Sequence, residues 1–268
     1  MTPLIAARIA DWDDAYANII HIPGGAAFPD QWLAEAASFR ATRPPEALGM
    51  GELYRPQGTP RGLAVIIHGG YWMKFGPQWF SHLAAGPLAR GWAVLLPRYT
   101  LAPEGRLAQM RAEIAAQIEA AAAGIPGPVV LGGHSAGGHL AARLACEDTP
   151  LSPATVARLR RCVPVSGLFD LRPLQRTTYR EPLGLDDETA AQESPLFHHP
   201  LPGIDLHLWV GADERPVFLQ QTRLLFETWA GIPHETRLTV EPGRHHMDVI
   251  AGLAEADHPL CEALAGAS

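Results

Sequence analysis

The chain has 268 residues, of which 47% are hydrophobic and 18% are charged, and its formal net charge is -7. This length suits one large α/β domain, and the negative balance without a basic stripe excludes the electrostatic footprint of a protein that binds nucleic acid or anionic lipid. No window reaches the roughly 18 continuous apolar residues of a membrane-spanning helix, and the opening Met1–Asp14 lacks the pattern of a secretion signal or an anchor.

The three cysteines, Cys146, Cys162 and Cys261, have spacings that suit neither a disulfide framework nor a zinc site. They indicate a reducing compartment, and we expect a cytoplasmic protein. No His-x-x-x-His pair with an accompanying acid occurs among the 12 histidines. We therefore expect neither a metal nor an organic cofactor.

Short apolar strands alternate with helical segments after an irregular opening. The predicted strands are Leu63–His68, Ala93–Leu96, Val129–Gly132, Cys162–Val165, Leu206–Val210 and Thr236–Glu241. The predicted helices are Pro77–Arg90, Glu104–Ala123, Gly138–Cys146, Pro216–Ala230 and Asp248–Ala256. This alternation predicts a single domain over residues 1–268, with a mainly parallel sheet and helices on both faces. Catalytic groups on such a sheet belong at the carboxyl ends of its strands.

The first predicted strand runs into His68-Gly69-Gly70-Tyr71-Trp72. Two consecutive glycines let backbone N–H groups point into open space, as an oxyanion hole requires. We expect Gly70 and Tyr71 to supply such N–H groups. We also expect Tyr71 and Trp72 to contact substrate, although an aromatic cluster after this loop is also typical of a core.

The third predicted strand runs into Gly133-His134-Ser135-Ala136-Gly137 and then into a helix. This is the layout of a nucleophile elbow, and it nominates Ser135 as the nucleophile. A serine hydroxyl is a weak nucleophile, so it must stand clear of the backbone, beside a base and near donors for negative charge. The N–H of Ala136 is the expected second oxyanion donor, and His134 is a candidate substrate contact.

A catalytic triad also needs an imidazole and a carboxylate, which in this architecture follow the serine in the order acid, then histidine. Asp213 and Glu214 directly follow the fifth predicted strand, and Asp170 follows the fourth. We choose Asp213 as the acid and expect Asp170 to cap the next segment. His245 and His246 both follow the last strand, and the residues alone do not choose between them.

Two segments stand outside the alternation of strands and helices. Residues 1–50 are expected to contribute to a cap over the site. Leu171–Gly203 carries five prolines and no clear strand, so it is either an insertion over the active site or a surface excursion without a role.

Together these motifs resemble those of the α/β-hydrolase kynurenine formamidases (arylformamidases) and of their hormone-sensitive-lipase-like esterase relatives. The resemblance spans nearly the whole chain and rests on the following segments: His68–Trp72, Gly133–Gly137, Ser166–Pro173, Val210–Phe218 and His246–Asp248. The first two motifs are shared with the wider esterase group. Ser166–Pro173 and Val210–Phe218 are more specific to the formamidases and their relatives.

The resemblance implies a serine hydrolase with Ser135, Asp213 and His246 as its triad, because family members place the triad histidine directly before an aromatic and an acidic residue. Met247 replaces that aromatic residue here. Tyr71 stands where many lipase-like loops carry a third glycine, which suggests an enclosed pocket for a small acyl group.

The implied reaction removes a small acyl group from an aryl formamide such as N-formylkynurenine, through an acyl-enzyme. The alternative is a short-chain carboxylesterase. The expected partner is therefore a small ester or amide rather than a nucleic acid or a membrane, and a homodimer stays an open option.

Overall fold

The computed structural model describes residues 8–266, in which eight strands form one mainly parallel sheet. Residues 1–7 lie outside the described residues. They form the first half of Met1–Asp14, the segment for which we expect neither a secretion signal nor an anchor. The strands are β1 (Glu46–Leu48), β2 (Gly51–Tyr54), β3 (Leu63–Ile67), β4 (Ala93–Leu96), β5 (Val129–His134), β6 (Leu159–Val165), β7 (Asp205–Gly211) and β8 (Glu235–Glu241). In space they follow the order β1-β2-β4-β3-β5-β6-β7-β8. Strand β2 pairs antiparallel with both of its neighbours, β1 and β4. The predicted fold class is confirmed.

Helices cover both faces of this sheet. They are α1 (Trp12–Tyr16), α2 (Phe28–Thr42), α3 (Ala85–Ala89), α4 (Leu107–Gly124), α5 (Ala136–Leu144), α6 (Pro153–Val156), α7 (Arg180–Leu183), α8 (Asp187–Gln192), α9 (Pro216–Trp229) and α10 (Pro259–Ala265). Within the described part of the chain, no helix combines the length and apolar character needed to cross a membrane.

The central strands are apolar throughout because both faces of the sheet are covered. All residues of β3 and β5 are buried. On one face α4 contributes Met110, Ile114 and Ile118 to the core, and on the other face α10 contributes Leu260 and Leu264. Each fully buried side chain of this size contributes roughly 1.5–3 kcal/mol through its removal from water. The core therefore fixes the strand ends that carry the candidate site.

Some elements differ from the sequence prediction for local reasons. The predicted helix Pro77–Arg90 is two 3₁₀ turns followed by α3, because Pro87 lacks an N–H and fits only in the first turn of a helix. The predicted helix Asp248–Ala256 is a 3₁₀ segment, Val249–Ala254. The prediction missed α10, which begins at Pro259, and the β1–β2 hairpin, whose first strand is largely exposed and too short for an apolar pattern.

Candidate active site

Ser135 lies in a sharp turn between β5 and α5. Its backbone has φ 56° and ψ -118°, a region that L-residues rarely adopt. The flanking positions require glycine: a Cβ at Gly133 would overlap the Gly137 carbonyl, and a Cβ at Gly137 would overlap the Ile67 carbonyl. The chain therefore makes this turn through glycine contacts, and Ser135, although only 3% exposed, lines a cavity.

The loop after β3 lies directly beside this serine. A Cβ at Gly69 would stand 3.2 Å from the Ser135 Cβ. The backbone then turns through positive φ at Gly70 (108°), Tyr71 (50°) and Trp72 (58°). Within residues 8–266, the N–H groups of Gly70, Tyr71 and Ala136 donate no hydrogen bond. Unpaired N–H donors near a serine hydroxyl are what an oxyanion hole requires.

The imidazole of His246 is held by Glu214. His246 Nδ1 donates to Glu214 Oε2 at 2.6 Å, and the two residues are 4% and 7% exposed. The other carboxylate oxygen, Oε1, accepts the Gly211 N–H at 2.9 Å and the Ser166 hydroxyl. Because Nδ1 is bonded to Glu214, Nε2 is the His246 ring nitrogen that is available to another partner. Ser135 and His246 line the same cavity.

The expectation that Asp213 holds the imidazole is wrong in this geometry. Asp213 is exposed, and its backbone N–H donates to the Arg244 carbonyl at 2.9 Å. Its neighbour Glu214 turns inward in the tight turn after β7, and its longer side chain spans the gap to the imidazole. Sequence reasoning kept both carboxylates as candidates, but no motif indicates which of two adjacent side chains points inward.

His245 and His134 have supporting positions around His246. The His245 backbone N–H donates to Asp248 at 2.7 Å, and its ring packs edge-on against Phe28 at 5.2 Å. His134 Nε2 donates to the His246 carbonyl at 2.8 Å. Burial lowers the pKa of His134 well below its usual value, with nearby His246 adding to the shift, so the ring is neutral at pH 7. His134 also lines the cavity. Its hydrogen bond to the His246 carbonyl places it to hold the loop that carries His246.

The cavity above Ser135 has a volume of about 410 Å³ and a largely apolar wall. Tyr71 lines it, with its ring stacked on Tyr179 at 4.2 Å and its hydroxyl bonded to the Tyr16 carbonyl. The expectation that Trp72 contacts substrate is wrong. Trp72 is 0% exposed and packs edge-on against His139 at 5.0 Å in the core, because successive side chains of this loop point to opposite sides.

Both segments outside the strand and helix alternation reach the cavity. Residues 17–20 line it from the N-terminal side, and Tyr179 lines it from Leu171–Gly203. The two segments are tied together where Asp13 accepts the Thr178 N–H and hydroxyl, each at 2.8 Å. The sequence predicts that Asp170 caps the segment that follows it. Its Oδ1 accepts the N–H of Arg172, the first residue of the 3₁₀ segment Arg172–Arg176, at 3.0 Å, although Leu171 occupies the N-cap position itself.

Across residues 8–266, no cluster of three or more His, Cys, Asp or Glu side chains has an arrangement that could hold a metal ion. All three cysteines are free and buried. Among the groups that line the cavity are the Ser135 hydroxyl, the His246 imidazole and the backbone of Gly70 and Tyr71, which together suit nucleophilic attack on a carbonyl group.

A family model described as the alpha/beta hydrolase fold matches residues 64–194. The kynurenine formamidase of Salmo salar is 28% identical over 216 residues, which are 75% of this chain and 71% of that protein. The kynurenine formamidase of Danio rerio is 26% identical over 227 residues, or 80% of this chain and 75% of that protein.

Solved structures share this fold over most of the chain. A candidate thioesterase from a Silicibacter species matches with a TM-score of 0.89 and 41% identity, over 94% of this chain and 98% of that chain. A hyperthermophilic esterase from Pyrobaculum calidifontis matches with a TM-score of 0.67 and 16% identity, over 89% of this chain and 90% of that chain. The second similarity concerns the fold alone.

Proposed function

Because this chain belongs to the α/β-hydrolase family, in the group of arylformamidases and hormone-sensitive-lipase-like esterases, we propose that it is a serine hydrolase that removes a small acyl group from an aryl formamide. N-formylkynurenine is the representative substrate. The single observation that carries the proposal is the 2.6 Å hydrogen bond between His246 and Glu214 at the cavity that Ser135 lines.

In the proposed mechanism His246 accepts the Ser135 hydroxyl proton as the serine oxygen attacks the formyl carbon. The N–H groups of Gly70, Tyr71 and Ala136 stabilise the oxyanion of the tetrahedral intermediate. The C–N bond then breaks, the arylamine leaves with the proton held by His246, and a formyl-serine ester remains. Water, deprotonated by His246, releases formate and restores the serine.

Glu214 orients the ring and stabilises its charged form during these steps. A carboxylate at Nδ1 keeps the proton on that nitrogen, so Nε2 is free to accept the serine proton. The Gly211 and Ser166 donors hold the carboxylate in place. Glu214 therefore replaces Asp213 as the acid of the proposed triad.

The cavity wall supports an aromatic leaving group and a small acyl group. Trp32, Tyr71, Phe75, Phe80 and Tyr179 surround a space of about 410 Å³, which suits one ring with short substituents. The kynurenine formamidases among the relatives support the same substrate class. Residues 17–20 and Leu171–Gly203 act as the cap of this single domain.

A second candidate function is hydrolysis of short-chain esters or thioesters. The same residues serve both reactions, and the 41% identical neighbour is described as a candidate thioesterase. Alcohol and thiol leaving groups depart more easily than amines, so these substrates need less help from His246 as an acid.

A panel of substrates compared by kcat/KM tests the proposal, since this ratio reports discrimination between transition states. The panel holds N-formylkynurenine, formanilide, p-nitrophenyl acetate and a short acyl thioester. We expect N-formylkynurenine to have the highest ratio, at least tenfold above the others, a difference of about 1.4 kcal/mol in transition-state binding. A preference for the ester or thioester would replace formamide hydrolysis with the second candidate function.

We also propose a cytoplasmic location. Three buried, free thiols support it, because thiols stay reduced in that compartment.

A further inference from the structure

Lys74 has an unusual place in this molecule. It is the single lysine among the 21 Lys and Arg residues of the chain. It also lines the cavity with Ser135 and His246, and among the described residues no other Lys or Arg and no Asp or Glu does so. Within residues 8–266, one cationic side chain thus lines the cavity and no carboxylate does.

The Lys74 ammonium is also unpaired. Within residues 8–266 it takes part in none of the ion pairs or side-chain hydrogen bonds, although many arginines pair with acids there. Its side chain is exposed. With no carboxylate partner, the three N–H donors of this ammonium group are available to a ligand in the cavity.

The backbone fixes Lys74 close to the reacting centre. Its N–H donates to the Gly70 carbonyl at 3.0 Å, so it belongs to the same turn as the proposed oxyanion donors. Its cavity neighbours Met73, Phe75 and Ile20 are apolar. Such surroundings strengthen an ion pair relative to one in open water, because they exclude part of the solvent that would screen it.

We propose that Lys74 binds a carboxylate carried by the substrate, so that the preferred substrates are aryl formamides with an anionic group on the aryl side. The inference rests on the proposed function and narrows its substrate class. The apolar wall receives the ring, and the flexible lysine stem lets the ammonium reach a carboxylate attached to it. The local cation also offsets the repulsion that a chain of net charge -7 exerts on an anionic substrate.

The test uses pairs of substrates that differ only in charge. These are 2-, 3- and 4-formamidobenzoate, each with the corresponding formamidobenzamide as its neutral counterpart. For each enzyme the measured quantity is the ratio of kcat/KM for the acid to kcat/KM for the amide, which cancels effects common to both. We expect wild type to favour the acid of at least one pair.

In Lys74→Gln this ratio is expected to fall about fivefold to tenfold, mainly through a higher KM for the acid, because a partly exposed ion pair contributes uniform binding of that size. Lys74→Arg keeps the charge and should retain the ratio within about threefold. Lys74→Glu should lower it further than glutamine does, by repulsion. The matched control is Arg223→Gln, which removes one positive charge from an exposed position of α9 outside the cavity and should leave the ratio unchanged.

The outcomes separate the two proposals. If Lys74→Gln leaves the ratio unchanged for every pair, while wild type still hydrolyses these formamides, Lys74 does not recognise the substrate and only the inference fails. An equal fall in Arg223→Gln would also overturn it, since the effect would then come from net charge. If wild type hydrolyses N-formylkynurenine but none of the six compounds, or favours the acid of no pair, only the inference fails. If it hydrolyses neither the six compounds nor N-formylkynurenine, formamide hydrolysis fails, and the inference fails with it.

Discussion

The serine half of the candidate site and its imidazole half are held by different kinds of contact. Around Ser135, glycines at 133 and 137 let strand β5, helix α5 and the loop after β3 approach so closely that backbone contacts alone fix the turn. Around His246, side chains from three strand ends make the contacts: Ser166 after β6, Glu214 after β7 and the imidazole after β8.

This difference determines what a substitution can change. In the serine half, the geometry belongs to the backbone, so removing a side chain removes a reactant and leaves the shape. In the imidazole half, removing one side chain releases another, because each one holds the next in place. The variants below test these two expectations in order of decreasing effect.

The largest effect is expected for Ser135→Ala. The loss of the nucleophile should lower kcat by roughly 10³-fold to 10⁶-fold, as loss of a triad serine does in other hydrolases. The fold should persist, because alanine adopts the same backbone turn and fits the same space. Steady-state kinetics and thermal unfolding measure the two quantities, and turnover close to wild type would remove Ser135 from the mechanism.

Glu214→Gln should come next, with a loss in kcat on the order of 10³-fold to 10⁴-fold, because an amide at Nδ1 neither fixes the productive tautomer nor stabilises the charged ring. Its matched control is Asp213→Asn, one residue earlier in the same turn. Since Asp213 is exposed, that variant should lose less than about threefold, within the range of a surface substitution. Reversed effects in these two variants would restore Asp213 as the acid.

Ser166 tests whether the imidazole half depends on its outer hydrogen bonds. The hydroxyl donates to Glu214, and its residue has φ 51°. Ser166→Gly accepts this φ without strain but loses the donor, and should lower kcat about tenfold, the equivalent of one weakened hydrogen bond to a charged group. Ser166→Ala should match that loss and unfold at a lower temperature than Ser166→Gly, because alanine, like the serine it replaces, carries a Cβ that is strained at positive φ. Unchanged kcat in both variants would show that Glu214 is held without the hydroxyl.

The smallest expected effect is on the pH dependence of the free energy of unfolding, through His139. This residue is buried in α5, the helix that follows Ser135, and its Nε2 donates to the Glu193 carbonyl at 2.7 Å. Burial lowers the pKa of His139 to about 3, while a histidine in the unfolded chain titrates near about 6.5. The unfolded state therefore binds a proton that the folded state does not. Protonation of His139 in the unfolded chain therefore does not reduce the free energy of unfolding above about pH 6.5. As the pH falls below that value, it reduces this free energy by up to about 1.4 kcal/mol per pH unit.

His139→Gln removes this titration and keeps a donor for the Glu193 carbonyl. Urea unfolding between pH 6.5 and 4.5 should therefore show a shallower loss of stability with falling pH than in wild type. An equal slope in the two proteins would mean that His139 does not resist protonation in the fold.

The same contrast explains what the sequence could predict. The elbow and the oxyanion loop are contiguous motifs whose glycines imply their own geometry, and Ser135, Gly70 and Tyr71 line one cavity. The choice of Glu214 depends on which of two adjacent residues turns inward, and the burial of Trp72 depends on the side of a loop that packs against α5. Neither feature has a local pattern, because both follow from contacts between residues far apart in the chain.

The fold shows the same limit. Strands with continuous apolar runs were predictable because their burial on both faces requires such residues. The exposed strand β1 and the short helix α10 lack that constraint. Whether these two segments form a strand and a helix depends on how the rest of the molecule packs against them. The proposed role of Lys74 was also absent from the motifs, since it depends on which of residues 8–266 line the cavity.

Covalent labelling tests the central claim, that Ser135 is a nucleophile activated by His246, most directly. The protein is treated with diethyl p-nitrophenyl phosphate, and its intact mass and peptide masses are measured alongside those of Ser135→Ala and His246→Ala. We expect one diethyl phosphoryl group on Ser135 of the wild type, formed together with loss of activity, none in Ser135→Ala, and much slower labelling in His246→Ala. Inactivation of the wild type with the adduct on another residue, or labelling of His246→Ala at the rate of wild type, would contradict the account.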